Sequence, residues 1–361
     1  MVYRVIGIMS GSSLDGLDIA YVQLEETRGE WSFEMQHSAC ISYDSTWREK
    51  LRDAHKLSAL EYQLLHADFG HFIGQQVKRF ILEHGLEYKV QLIASHGHTS
   101  FHLPSRQMTA QLGDGAAIAA QTGINVVSDL RSMDVALGGH GAPIVPVGER
   151  LLLKDYTYFL NIGGIANISY NSPKGYIAFD VCPANRVMNM LARSEERDFD
   201  ESGNIARSGT LNEELLHSLN SLEYYSKPYP KSLSNSFGTD TVFPIVQNSC
   251  CLEDQLRTYV EHIAIQIRRS LEPLVGEDTN KRLLVTGGGA HNNFLVERLS
   301  AQLAEAGIEV TVPSKDLIDY KEAIIMALIG LLRWREEHNV FASVTGASRN
   351  SVGGAVYLGE L

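Results

Sequence analysis

One pattern, met twice, constrains this chain more than any other feature. A strand runs into a small-residue turn and returns as a hairpin, and then strands alternate with helices. In the first half, residues 2–9 read as a buried strand entering a Gly/Ser turn, with 17–24 returning and 31–41 as a third strand. Residues 59–84 place Leu60, Leu64, Phe69, Phe72, Ile73, Val77, Phe80 and Ile81 at helical spacing, stopped by Gly85. A short strand at 90–94, a short helix at 111–121 and a buried strand at 124–128 follow. The second half begins again with strands at 157–160 and 175–179 around the segment 161–169. A long helix at 252–274, a strand at 282–286, a glycine turn at 287–289, a helix at 293–306, a strand at 309–312 and a helix at 321–337 complete it. Residues 221–249 are rich in Ser, Pro, Tyr and Asn with little apolar period, and read as a loop or lid.

This alternation predicts an α/β fold of two mixed layers facing one another across a cleft. No short-period repeat exists, which excludes a solenoid or propeller. The length of 361 residues suits two domains, each with its own core. The expected division is 1–135 with 338–361 as the first domain and 136–337 as the second.

Composition narrows the partners. Lys and Arg number 31 against 43 Asp and Glu, a formal charge of −12, which argues against nucleic acid or an anionic membrane as the main partner. A small phosphorylated ligand stays open, because backbone amides hold anions locally. The four cysteines, Cys40, Cys182, Cys250 and Cys251, show no CxxC spacing, and an adjacent 250–251 bridge would be strained. No apolar run approaches the roughly 20 residues that span a bilayer. These features predict a reduced, cytoplasmic protein.

Five segments carry chemistry. GIMSGSSLDGLDIA (7–20) is a strand entering a turn of Ser10, Gly11, Ser12 and Ser13, whose amides and hydroxyls suit phosphate oxygens. Asp15 or Asp18 would hold Mg²⁺ through water, since Mg²⁺ prefers carboxylate and phosphate oxygens; a decorated hairpin turn is the alternative. FDVCPAN (179–185) sets Asp180 at a strand end, as a general base, a water-mediated Mg²⁺ ligand or a cap. VTGGGAHNNFLVERL (285–299) allows close backbone approach to a nucleotide, or simply a tight connection. SHGHTSFH (95–102) brings His96, His98 and His102, whose spacing favours substrate hydrogen bonding or structure over zinc. In SDLRSMDVALGGHGAPIVP (128–146), Arg131 either faces an anionic substrate group or pairs with Asp129 or Asp134.

In order and spacing these segments, with QLGDGAAIA, NIGGIANIS, KEAIIMALI and the closing TGASRNSVGGAVY, resemble the anhydro-N-acetylmuramic acid kinase family over nearly the whole chain. That family is a branch of the sugar kinase, actin and heat-shock ATPase superfamily. The resemblance implies a duplicated actin-like (ribonuclease H-like) fold with nucleotide and substrate in the cleft. It implies ATP-dependent opening of the 1,6-anhydro bond of anhydro-N-acetylmuramic acid, giving N-acetylmuramic acid 6-phosphate and ADP, a step of cell-wall recycling. Carried over by residue, Asp180 is the general base. The first phosphate loop is Gly11, Ser12, Ser13, Asp15, Gly16 and Asp18, and Gly163 and Gly164 are further cofactor-binding residues. Gly287, Gly288 and Gly289 form the adenosine loop, while His96, Arg131 and Glu322 line or support the sugar site. ATP and Mg²⁺ are the implied cofactors, and a homodimer is common for enzymes of this size.

The chain departs from the family pattern in three places. Asp180-Val181-Cys182-Pro183-Ala184-Asn185 stands where Asp-Thr-Gly-Pro-Gly-Asn is usual, Ser12 stands for Thr, and PKSLSNSFG (230–238) has Asn235 and Ser236 for Arg and Glu. Two other readings follow from these departures: a kinase of the same fold with another amino sugar as substrate, and a non-catalytic nucleotide-binding protein.

Overall fold

β1 (Val2–Ser10), β2 (Gly16–Thr27) and β3 (Glu30–Ser42) form an antiparallel meander. Residues 5–10 of β1 are all buried, the mark of a central strand covered on both faces. The computed structural model describes residues 1–172, 175–229, 231–247, 249–275 and 281–360. After β3 come α1 (Ser45–Arg52), capped by Asp44, and α2 (Ala59–Glu83). A reciprocal capping box between Ser58 and Glu61 opens α2, satisfying two amides that the first turn leaves unpaired. β4 (Leu92–Leu103) pairs parallel to β1, and β5 (Met108–Leu112) folds back on β4. α3 (Gly115–Thr122) starts at the Asp114 cap, and β6 (Val126–Ser128), α4 (Ser132–Ala136) and α5 (Pro146–Leu152) follow.

The second sheet repeats the scheme. β7 (Tyr158–Ile162), β8 (Ile165–Ser172) and β9 (Gly175–Pro183) are again an antiparallel meander. Four helices then precede a fifth, very short one: α6 (Asn185–Arg193), α7 (Asn204–Ser208), α8 (Glu213–Asn220), α9 (Glu223–Ser226) and α10 (Phe243–Val246). The long α11 (Leu252–Leu271) buries Val260, Ile263, Ala264 and Ile267 completely. β10 (Arg282–Thr286) pairs parallel to β7, and after α12 (Asn293–Ala304) comes β11 (Glu309–Thr311), parallel to β10. The chain ends with α13 (Lys315–Trp334), α14 (Ala342–Thr345) and β12 (Ala355–Tyr357), which adds to the first sheet beside β6.

The strand orders show the duplication directly. One sheet runs β12-β6-β4-β1-β2-β3 and the other β11-β10-β7-β8-β9. Read from the meander outward, β3-β2-β1-β4-β6 matches β9-β8-β7-β10-β11 strand for strand. This is the duplicated, actin-like α/β plan.

Two compact units result, Met1–Lys154 with Tyr320–Leu361, and Asp155–Asp319. Residues 136–154 and 320–337, grouped by sequence with the second domain, thus belong to the first unit. Packing explains why. The carbonyl of Ala323 on α13 sits where a Cβ on Gly7 of β1 would be, and a Cβ on Gly330 would overlap Ala94 Cβ of β4. On α5, Gly148 touches Ile325 and the buried Glu149 pairs with Lys321 at 3.5 Å.

Three local expectations change. The helix expected at 111–121 is the end of β5 followed by α3, because Asp114 caps only from that point. The helix expected from 321 begins at Lys315, where Ser314 Oγ accepts the Leu317 amide at 3.4 Å. The stretch 221–249 contains α9, α10 and a π-helical turn (Phe237–Val242), with Val242 and Val246 fully buried. Positions 230 and 248 of that stretch, the first of them opening PKSLSNSFG, lie outside the described residues.

Candidate active site

In the first unit the phosphate-loop candidates sit on the β1–β2 turn. Ser12, Ser13 and Asp15 are exposed, and Gly11 and Asp18 are half-buried. A Cβ on Gly11 would meet only Ser13 Oγ, at 3.6 Å. Gly16 answers to architecture, since a side chain there would lie 2.7 Å from the Ile41 carbonyl oxygen and 2.8 Å from Cys40 Sγ on β3. Just before the turn, the buried Ser10 hydroxyl accepts from Tyr43 Oη at 2.8 Å and meets His98 Nδ1 at 3.1 Å. Burial raises the Tyr43 phenol pKa, which keeps it a donor, and depresses that of His98, which favours the neutral ring.

The three histidines of β4 go separate ways. His98 serves Ser10, His102 bonds Thr109 Oγ1 at 3.1 Å, and His96 is buried. His96 Nδ1 lies 2.8 Å from the Gly97 carbonyl oxygen, while Nε2 accepts from Arg131 Nε at 2.7 Å. Both ring nitrogens are therefore committed within the protein, and His96 acts on Arg131. Arg131 Nη1 also donates to the Gly141 carbonyl at 2.5 Å. Burial lowers the Arg131 pKa, and the charges of Glu322 and Asp134 oppose that effect. Asp129 binds Ser132, and Asp134 accepts from the Gly141 amide at 2.7 Å and from Thr345 Oγ1 at 2.6 Å, so neither takes the Arg131 guanidinium. Glu322 is exposed near the start of the unit-one part of α13.

In the second unit Asp180 occupies a β-bulge. The register passes from Ala166 opposite Cys182 to Asn167 opposite Asp180, so Val181 is the extra residue and the strand bends. Asp180 Oδ2 accepts from the Leu233 amide at 2.8 Å, and its own amide donates to the Lys231 carbonyl at 3.0 Å. Tyr224 Oη donates to the Asp180 carbonyl at 2.7 Å. Oδ1 takes no hydrogen bond among the described residues. Burial raises the carboxyl pKa and the Leu233 bond partly offsets this, making the carboxylate a stronger base than an exposed one. The replaced residues of the motif are absorbed by the core: Val181, Cys182 and Ala184 are buried within it. Tyr259 of α11 donates to the Pro183 carbonyl at 2.8 Å.

The turn of Gly163 and Gly164 caps α6 with its carbonyls, which accept the amides of Ala184 at 2.8 Å and Asn185 at 3.1 Å. Gly287 and Gly289 press against β7, where side chains would strike Asn161 and Ile162. Gly288 instead is exposed and lines a cavity of about 640 Å³ with Asn185, Met188, Phe199, Ser202 and Lys315. Sequence reasoning missed Phe199, Ser202 and Lys315, which follow no recognisable motif. It also missed Tyr224 and Leu233, whose only signal was their place in a stretch without period.

Among the described residues no group of three or more His, Cys, Asp or Glu forms a metal cage. Asp15 and Asp18 are hard oxygen donors beside an exposed turn, a set that suits Mg²⁺ shared with phosphates and water. Among the same residues no helix is long and apolar enough to cross a membrane.

The duplicated fold, the glycine turns and the desolvated carboxylate at a strand end fit a sugar kinase, the class to which the chain's family belongs. The chain belongs to the anhydro-N-acetylmuramic acid kinase family, whose model matches residues 3–359. It is 33% identical over 371 residues to the anhydro-N-acetylmuramic acid kinase of Aliivibrio fischeri, covering 98% of this chain and 99% of that one. The enzyme of the same name from Vibrio cholerae is 34% identical over 367 residues, with 98% and 97% covered. Among solved structures, the activator of the 2-hydroxyisocaproyl-CoA dehydratase from Clostridium difficile with bound ADPNP is similar with a TM-score of 0.46 and 15% identity. That likeness covers 92% of this chain and 96% of the other.

Proposed function

We propose that the chain uses ATP to open 1,6-anhydro-N-acetylmuramic acid with water and to phosphorylate the oxygen released, giving N-acetylmuramic acid 6-phosphate and ADP. Asp180 Oδ1 takes a proton from a water whose oxygen bonds to the anomeric carbon. The bond from that carbon to the C6 oxygen breaks, and the C6 oxygen takes the γ-phosphoryl group as the bond to ADP breaks. Phosphoryl capture of the departing oxygen spares the site a separate general acid. Amides and hydroxyls of Gly11, Ser12 and Ser13 hold phosphate oxygens, and the cavity beside Gly288 seats the purine. Asp15 and Asp18 would hold Mg²⁺ through water, and the ion would supply charge neutralisation on the phosphates. Arg131, its guanidinium oriented by His96 and Gly141, and Glu322 serve the sugar.

The observation that carries this reading is the state of Asp180: one oxygen is committed to the Leu233 amide, the other is open, and burial has raised its basicity. Incubation with the anhydro sugar and Mg-ATP, followed by mass spectrometry, tests it. The expected product is heavier than the sugar by one water and one phosphoryl group. ADP formed only with a free amino sugar would overturn the choice of substrate.

A further inference from the structure

Asp180 is attached to the rest of its unit in an unusual way. Three of its polar atoms bond to a short stretch distant in sequence: the main-chain N–H to Lys231, Oδ2 to Leu233, and the carbonyl to Tyr224. The Asp180–Asn167 pairing adjoins the bulge, so the ladder holds Asp180 less regularly than its neighbours.

Tyr224 is itself well anchored. Its ring packs against Tyr225 at 5.7 Å and Phe237 at 5.4 Å between centroids, and Lys231 Nζ lies 4.7 Å above it. The Lys231 ammonium also reaches the Tyr224 carbonyl at 3.4 Å, tying both ends of the stretch together. Burial raises the Tyr224 phenol pKa, so the hydroxyl stays protonated and can only donate to a carbonyl partner. The residue is mostly buried, at 7% exposure, which places the hydroxyl bond among packed rings rather than in water.

We infer that Tyr224 is a positioning residue for Asp180: its hydroxyl, bonded to the Asp180 carbonyl, holds the Lys231–Leu233 backbone in register so that Oδ2 stays occupied and Oδ1 alone faces the reacting water. The inference rests on Asp180 being the general base. Tyr224 touches no substrate atom in this role and acts only through the aspartate. A general base depends on alignment with the proton it removes, so loosening it slows the chemical step while leaving ligand binding in place.

Tyr224→Phe keeps the ring, its aromatic neighbours and the Lys231 contact, and deletes only the hydroxyl. The expected result is a fall in kcat of about tenfold or more, with KM for sugar and for ATP within about twofold of the parent. Amide hydrogen exchange reads the same bond without turnover: protection should drop at Asp180 and Leu233 and stay unchanged in α12. Unchanged protection at those two amides overturns the inference, as does a kcat within about twofold of the parent. If the parent itself shows no turnover of the anhydro sugar, the proposed reaction fails and the exchange measurement still decides the role of Tyr224.

Discussion

Arg131 Nε donates to Nε2 of His96 at 2.7 Å, and this bond places the proton of a histidine closed off from solvent. With Nε2 accepting, Nδ1 carries the hydrogen and donates to the Gly97 carbonyl. A protonated ring would have to give up Arg131, so burial and the adjacent guanidinium hold the His96 pKa down at about 3. His262 in the second unit is likewise pushed to about 3 by burial, between Asn220 and Tyr225.

Both histidines therefore bind protons less readily folded than unfolded. The unfolded chain takes up the extra protons below its ordinary histidine pKa of about 6.5, so stability falls as pH drops from there toward about 3. The expected slope is on the order of 1 kcal/mol per pH unit for each histidine. Urea unfolding at several pH values should show it, with His96→Gln losing part of the dependence. A stability that stays flat between pH 6.5 and 4 would contradict the buried neutral state.

Arg131→Lys keeps the charge but not the planar fork that reaches His96 and Gly141 together. His96 Nε2 would then be left without its donor in the interior. A loss of about 1–3 kcal/mol in stability is expected, with weaker sugar binding and ATP binding unchanged. Calorimetric titration with each ligand separates the two effects.

Two glycines four residues apart should behave oppositely. Gly7→Ala drives a methyl group into the Ala323 carbonyl, so a cost of at least about 1–3 kcal/mol is expected in thermal unfolding. Gly11→Ala meets only Ser13 Oγ at 3.6 Å and should melt like the parent while raising the ATP Kd about tenfold, by crowding the amides proposed to hold phosphate.

The glycines of the 287–289 turn divide in the same way. Gly289→Ala collides with Ile162 and should destabilise the second unit. Gly288→Val points into the cavity, its nearest neighbour there being Asn185 Nδ2 at 3.5 Å from the Cβ. It should leave unfolding nearly unchanged and weaken ATP binding roughly tenfold, measured by fluorescent-nucleotide displacement.

Much of this fold was legible because its strands and long helices bury regular faces. The meanders, α2, α11 and α12 announced themselves through apolar period and through turn residues such as Gly85, while the Ser58 and Asn292 caps emerged only in the structure. β4 runs to Leu103, beyond the apolar segment, because its polar outer half is paired with β5 rather than buried. The site was legible as motifs but not as contacts. Asp180 stood out beside Pro183, whereas the Tyr224 and Leu233 bonds to it arise from chain reversal over some fifty residues, which no local spacing records. His96 shows the complementary case: its motif suggested substrate hydrogen bonding or a structural role, and only the fold showed that both nitrogens are already spoken for.

The central claim is that Asp180 activates water for sugar-dependent phosphoryl transfer, and Asp180→Asn tests it most directly. The amide matches the carboxyl in size and its oxygen can still accept from Leu233, but it cannot take the proton. Coupled ADP release should show sugar-dependent turnover in the parent and a fall in kcat of about 10²–10⁴ in the variant, with ATP binding retained. A variant that keeps more than about a tenth of the parent kcat would contradict the assignment of Asp180 as the base.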